Sequence, residues 1–178
     1  ANDAEAICEA MGRPTMRFVT IKTIEQQNLQ ALHRVLQELK SHRAAKANQI
    51  RGLVTEYGIV ASQQMANLRS AIPGWLEDAD NALTIPFRTL LHGLWDDLKA
   101  QDQRIKELNN KIEIIAKTHP DAKRLQTLRG VGPLIATAFI ASIGDGKQFT
   151  KGRQVSASID LTPKQHSSGG KERLLGIS

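Results

Sequence analysis

Ser167 and Ser168 stand between His166 and the pair Gly169-Gly170, in the run Thr162-Pro163-Lys164-Gln165-His166-Ser167-Ser168-Gly169-Gly170-Lys171. A serine hydroxyl is a poor nucleophile until a base or a metal takes its proton and its attack is aligned. His166 is close in sequence, but neighbouring residues of an extended loop point to opposite sides, which disfavours a local Ser/His pair. Gly169 and Gly170 would let the backbone approach a substrate. Taken locally, two polar residues in a flexible loop is the simpler reading.

A second candidate lies upstream. Leu128-Arg129-Gly130-Val131-Gly132-Pro133 leads into the apolar segment Leu134 to Ile143, which is how a helix-hairpin-helix turn reads. Glycine takes backbone angles closed to other residues and lets main-chain amides come close to a partner. Amides at a helix start suit a phosphate oxygen. An ordinary stop and restart between two packed helices would use the same residues. Charge placement favours the first reading. The net charge is +6, and from Asp121 to Ser178 nine Lys/Arg face four acids. Arg129, Lys151, Arg153, Lys164, Lys171 and Arg173, with Gly130 and Gly132, are the candidate nucleic-acid-binding residues.

Other polar residues offer less. Asp3 reads locally as a helix N-cap. Cys8 is the single cysteine, which excludes an intramolecular disulfide and a multi-cysteine zinc site and fits a reducing cytoplasm. His33, His42, His92 and His119 show no metal-ligand spacing on one face and read as surface or seam positions.

The elements around these candidates are mostly helical. A composition of 4% aromatic with many Leu, Ile, Ala, Gln, Lys and Glu favours helix. No apolar run approaches the roughly 18 residues of a membrane span. Phe87, Leu91, Leu94, Leu98, Gln101, Ile105, Leu108, Ile112 and Ile115 follow an unbroken 4-3 spacing, the seam of a coiled coil. Leu29, Leu32, Leu36, Leu39, Ile50, Leu53 and Tyr57 form a similar seam, interrupted by Arg43 and Lys46, with Gly58 placed to end the helix. Folding the two helices back antiparallel puts Arg43 and Gln101 near one level. Between them, a short helix over Gln63 to Ala71 is expected to break at Pro73-Gly74. Met16 to Lys22 alternates as a short strand would, and an orphan strand implies that the chain begins inside a domain.

Gly130-Val131-Gly132-Pro133, Phe149, Arg153 and the run Leu161 to Lys171 resemble the C-terminal transposase domain of the insertion-sequence family numbered one-hundred-ten, in its eleven-eleven branch. The Ser-Ser-Gly run is the specific part. The resemblance covers essentially the whole chain, which relative to the family lacks roughly the first hundred residues and a basic tail. Asp160 stands where the family usually shows glycine. The resemblance implies a recombinase with a RuvC-like acidic domain, a coiled coil and a serine-bearing domain, acting with a bridge RNA on DNA. It implies Ser168 as the nucleophile of a covalent Ser–DNA intermediate, with Ser167 as the fallback. It also matches Asp3 to one carboxylate of an acidic set that would hold Mg²⁺, a hard cation suited to oxygen ligands.

The expected fold is mainly α: a long antiparallel coiled-coil hairpin, a small helix-hairpin-helix-like domain, and an N-terminal remnant of an α/β RuvC-like domain. The expected boundaries are residues 1–23 for the remnant, 24–120 for the coiled coil with a connector at 58–84, and 121–178 for the transposase domain. DNA and a bridge RNA are the expected partners, with homo-oligomerisation through the coiled coil, no membrane, and a prokaryotic, nucleoid-associated location in the cytoplasm. Because most of the acidic set is missing, the chain alone is expected to be inactive. The competing expectations are a non-catalytic nucleic-acid-binding module with a coiled-coil arm, indifferent to Ser168→Ala, and a purely structural coiled-coil oligomer.

Overall fold

Two long helices dominate the computed structural model, which describes residues 2–16, 20–166, 170 and 174–177. The described elements are α1 (Asn2–Met11), α2 (Ile24–Thr55), α3 (Met65–Glu77), α4 (Ile85–Thr118), α5 (Pro120–Leu125), α6 (Pro133–Ile143), α7 (Gly152–Ser158), β1 (Pro163–Gln165) and β2 (Leu174–Ile177). The chain is mainly helical, as its composition and periodicity imply.

Each long helix starts on a threonine. Thr23 accepts a hydrogen bond from the Gln26 amide, while the Gln26 side chain accepts from the Thr23 amide, a complete capping box. Thr84 accepts from the Phe87 amide. Gly58, at φ +77°, takes the left-handed conformation just beyond α2. His119 ends α4 and begins α5 at once, its Nδ1 accepting from the Asp121 amide at 3.2 Å.

α2 and α4 run antiparallel. Leu29 packs near Ala116, Leu36 and Leu39 pack with Ile105 and Ile112, and the Tyr57 and Phe87 rings lie 4.2 Å apart at the far end. The spacing from Phe87 to Ile112 therefore follows the buried stripe of α4, with Gln101 and Leu108 only partly covered, and at its end Ala116 is buried and Ile115 only partly so. On α2 the stripe drifts: Ala47 and Val54 are buried, whereas Leu53 and Tyr57 are only partly covered. The cause is α3, which lies along one side of the pair and covers those positions with Leu68 and Ile72.

α3 also corrects an expectation. Pro73 lies inside the helix, which continues to Glu77. Proline removes one backbone hydrogen bond and is usually disruptive in a helix interior. Here Leu68 and Ile72 before it are fully buried, and Trp75 and Leu76 after it pack on the same core, so tertiary packing carries the helix past the proline. The strand expected over Met16 to Lys22 is absent at its described positions, Met16 and Thr20–Lys22; Arg17, Phe18 and Val19 lie outside the described residues. Asp3 falls within the first turn of α1, not at its N-cap; its carboxylate favours that end through the helix dipole.

The core divides along the arm. A distal cluster includes Ile50, Val54, Leu68, Ile72, Leu91 and Leu98; a middle one joins Leu36, Leu39, Ile105 and Ile112; a proximal one joins Leu29, Ala116, Ala122, Ala136 and Ile140. Between the distal and middle clusters lies a polar layer at the expected level. Arg43 meets Asp102 at 3.3 Å, rather than the neighbouring Gln101. Arg69 of α3 grips the same carboxylate with two hydrogen bonds of 2.7 and 2.6 Å. Lys46 reaches Asp97 at 3.0 Å.

Past α6 the chain forms short pieces. Asp160 takes φ +57°, a left-handed angle that aspartate tolerates better than most residues. β1 and β2 pair antiparallel, Pro163 opposite Ile177 and Gln165 opposite Leu174, with one irregularity in register.

Candidate nucleic-acid interface

The glycine turn forms where the sequence places it. Two tight turns follow α5, with the Leu128 amide donating to Leu125 O and the Val131 amide to Leu128 O, both at 3.1 Å. Gly130 sits at φ +88°, so a side chain there would be strained although the space is open. Gly132 is the N-cap of α6 in an extended conformation, with no side-chain cap. Pro133 follows, and the first bond to the cap carbonyl is Ala136 N to Gly132 O at 2.9 Å. The amides of Leu134 and Ile135 are thus left at an uncapped helix start, with both residues exposed. Exposed Arg129 lies in the same turn. This arrangement can present two backbone donors and one guanidinium to an anion.

Three side chains fix the orientation of this turn, and the sequence did not single them out for it. Gln26 completes the capping box of α2 with its oxygen and donates from Nε2 to Ile140 O at 3.3 Å, tying α2 to α6. Gly144 sits at φ +68°, where a side chain would be strained, and a Cβ there would displace that Nε2, which lies 2.6 Å from its position. His33 Nε2 lies 3.0 Å from Thr137 Oγ1, and Thr137 is fully buried. The threonine hydroxyl gives its proton to Pro133 O at 2.8 Å, so His33 donates from Nε2. Gln126 Nε2 donates to Ala116 O and Ala122 O, bracing the joint between α4 and α5. A buried threonine in an apolar helix was the one sequence signal for such a tether.

Burial pushes the His33 pKa below the ordinary histidine value, and the charge of Lys40 pushes in the same direction. The unfolded chain then takes up the proton first, near pH 6.5. Stability contributed by neutral His33 is complete above that pH and falls as pH drops through it toward the lower folded-state pKa. Urea midpoints should therefore decline more steeply from pH 7 to pH 5 in the native chain than in His33→Gln; parallel curves would rule the effect out.

The remaining candidates are less concentrated. Lys151 is the N-cap of α7 and Arg153 lies in its first turn, both exposed; Lys164 is exposed on β1. Arg129, Gly130 and Gly132 share one turn, while these three basic residues belong to separate elements further along. Ser167, Ser168, Lys171 and Arg173 lie outside the described residues. In sequence Ser167 and Ser168 fall between β1 and β2, which pair with each other. That pairing was not foreseen, because each strand is only three or four residues long.

Asp3 is exposed on α1. Among the described residues no three of His, Cys, Asp and Glu lie close enough to hold a metal ion. One exposed carboxylate does not make a Mg²⁺ site, so the described residues do not by themselves fit that ion. A cleft of about 310 Å³ between the start of α2 and the end of α6 is rimmed by Glu25, Asp121 and Asp145, and its charge disfavours a polyanion there.

A small helical unit thus carries an uncapped glycine turn beside exposed Arg129 at one end of a long helical arm. Residues 122–178 match the family described as Transposase IS116/IS110/IS902 family. The chain is 42% identical over 177 residues to the transposase for insertion sequence element IS1111A of Coxiella burnetii, covering 99% of this chain and 49% of that protein. It is 41% identical to a probable family 20 transposase of Pseudomonas aeruginosa, covering 100% and 53%. It is 36% identical to the transposase for insertion sequence element IS1328 of Yersinia enterocolitica, covering 99% and 52%. The chain is thus similar along its length to transposases, and over residues 122–178 to the IS116/IS110/IS902 family. It spans about half the length of the curated relatives it matches. No solved structure matches it. Among the described residues no helix is long and apolar enough to cross a membrane.

Proposed function

We propose that this chain is the DNA-handling portion of a transposase, in which the turn between α5 and α6 grips a phosphate backbone and the β1–β2 connection carries the reacting serine. The observation that carries this reading is the α6 start at Gly132-Pro133, uncapped and beside exposed Arg129, inside the segment that matches the transposase family. Lys151, Arg153 and Lys164 extend the basic surface, with Lys171 and Arg173 beyond them in sequence.

On this reading Ser168 Oγ attacks a DNA phosphorus, and Ser167 is the alternative. One P–O bond forms, one deoxyribose C–O–P linkage opens at phosphorus, and the hydroxyl proton passes through a base to the departing oxygen. Carboxylates beyond Asp3 would be needed to hold Mg²⁺ for such a step. Guidance by a bridge RNA and self-association through the arm belong to the same proposal.

The test is a salt titration of binding to duplex DNA, branched DNA and structured RNA. Phosphate contacts make affinity fall linearly in log salt. Arg129→Glu should weaken binding about tenfold and lower the salt slope by about one. Unchanged affinity and slope would remove the turn from the interface. Deleting the chain beyond Pro120 is a poor control, because α5 and α6 cover Leu29 and Ala116. A non-catalytic module is the second reading; it requires the same turn but is indifferent to Ser168→Ala in a complete, active relative.

A further inference from the structure

At the distal end of the arm, the C-termini of α2 and α3 meet the N-terminus of α4. This is shown by the Tyr57–Phe87 ring contact and by the bonds from Arg88 to Trp75 O and Leu76 O. The dipoles of α2 and α3 make the tip negative, offset in part by Arg88 at the last α3 carbonyls, and neither helix has a basic residue in its own last turn. Four exposed acids, Glu56, Glu77, Asp78 and Asp80, add to it. Carboxylates at helix C-termini are unfavourably placed, and a cationic partner would relieve that. The same end exposes Val60 (93%) and Ile85 (80%).

A surface of the opposite character exists on this chain. The turn between α5 and α6 exposes Leu128, Leu134 and Ile135 together with Arg124 and Arg129. It cannot meet its own tip. The turn packs at the proximal end of α2, and a 32-residue helix separates the two ends by about 48 Å. Two copies laid side by side in opposite directions would bring each tip to the other's turn, a closed two-fold arrangement that uses both contacts twice.

We propose that the acidic, apolar tip of the arm docks on the basic, apolar α5–α6 turn of a second copy of this chain. The inference does not rest on nucleic-acid binding, although nucleic acid would compete for Arg129. Sedimentation of the full chain without nucleic acid should show a dimer whose dissociation constant rises about tenfold or more between low and high salt. Glu77→Lys with Asp80→Lys should weaken it about tenfold, as should Arg124→Glu with Arg129→Glu, and mixing the two variants should restore association through the swapped contact. A monomer at every concentration, or a dimer indifferent to both reversals, would overturn the proposal. As an independent readout, chains carrying Val60→Cys and Ile135→Cys, each with Cys8→Ser, should form a mixed disulfide when combined. Failure to do so while dimeric would also overturn it.

Discussion

Arg88→Ala is expected to destabilise the chain by about 2–4 kcal/mol, read as a shift of the urea midpoint without a change in slope. The guanidinium donates to Trp75 O and Leu76 O at the end of α3, to Asp78 O and Asn81 Oδ1 in the following loop, and to Leu83 O just before α4. The last carbonyls of a helix have no intrahelical donor, and this side chain supplies one for α3. It also holds the loop that sets where α4 begins. Alanine removes these donors at once, leaving Trp75 O with only Asn81 Nδ2 and the other main-chain oxygens to whatever water can reach them. Lysine keeps the charge but has neither the planar fork nor the donor count, so Arg88→Lys should recover less than half of the loss. A loss under about 1 kcal/mol for alanine would mean that solvent replaces the arginine.

Asp102→Ala comes next, at about 2–3 kcal/mol. Its carboxylate is the shared partner of Arg43 from α2 and Arg69 from α3, and the three side chains are 25–33% exposed. Removing one member of a fully buried ion pair costs about 3–5 kcal/mol, because the remaining charge is stranded; partial exposure lowers that figure here. The layer is already incompletely satisfied, since Arg43 Nε and Gln101 Oε1 are buried with no hydrogen-bond partner. Replacing all three members together by Leu or Met should therefore be neutral or stabilising. If the single and triple replacements cost the same, the layer contributes packing and not charge pairing.

These two sites show where sequence reading succeeds. Arg43 and Gln101 interrupt apolar seams whose spacing sets their level, so a polar layer followed from periodicity alone. Arg69 could not be placed in it, because its helix was expected to end at Pro73, and only the burial of Leu68 and Ile72 shows why it continues. Arg88 falls between seam positions and reads as a surface residue; its role depends on a loop folding back, which leaves no periodic trace. At the candidate interface, the glycine turn was readable because a left-handed residue and a helix restart each have a residue signature. The tethers from Gln26 and His33 were not, since each joins segments more than a hundred residues apart. The paired strands around the serine connection were too short to register as alternation.

His119 is at once the C-cap of one helix and the N-cap of the next, and Gln126 bolts the carbonyls on either side of it. No slack chain separates the arm from the turn. The arm is in that respect a lever with a fixed elbow. Over about 48 Å, a tilt of roughly 5° at the turn moves the far end by about 4 Å, close to one residue of strand or the rise of one base step. A force applied at either end is therefore delivered to the other as a displacement, and is not absorbed at the joint.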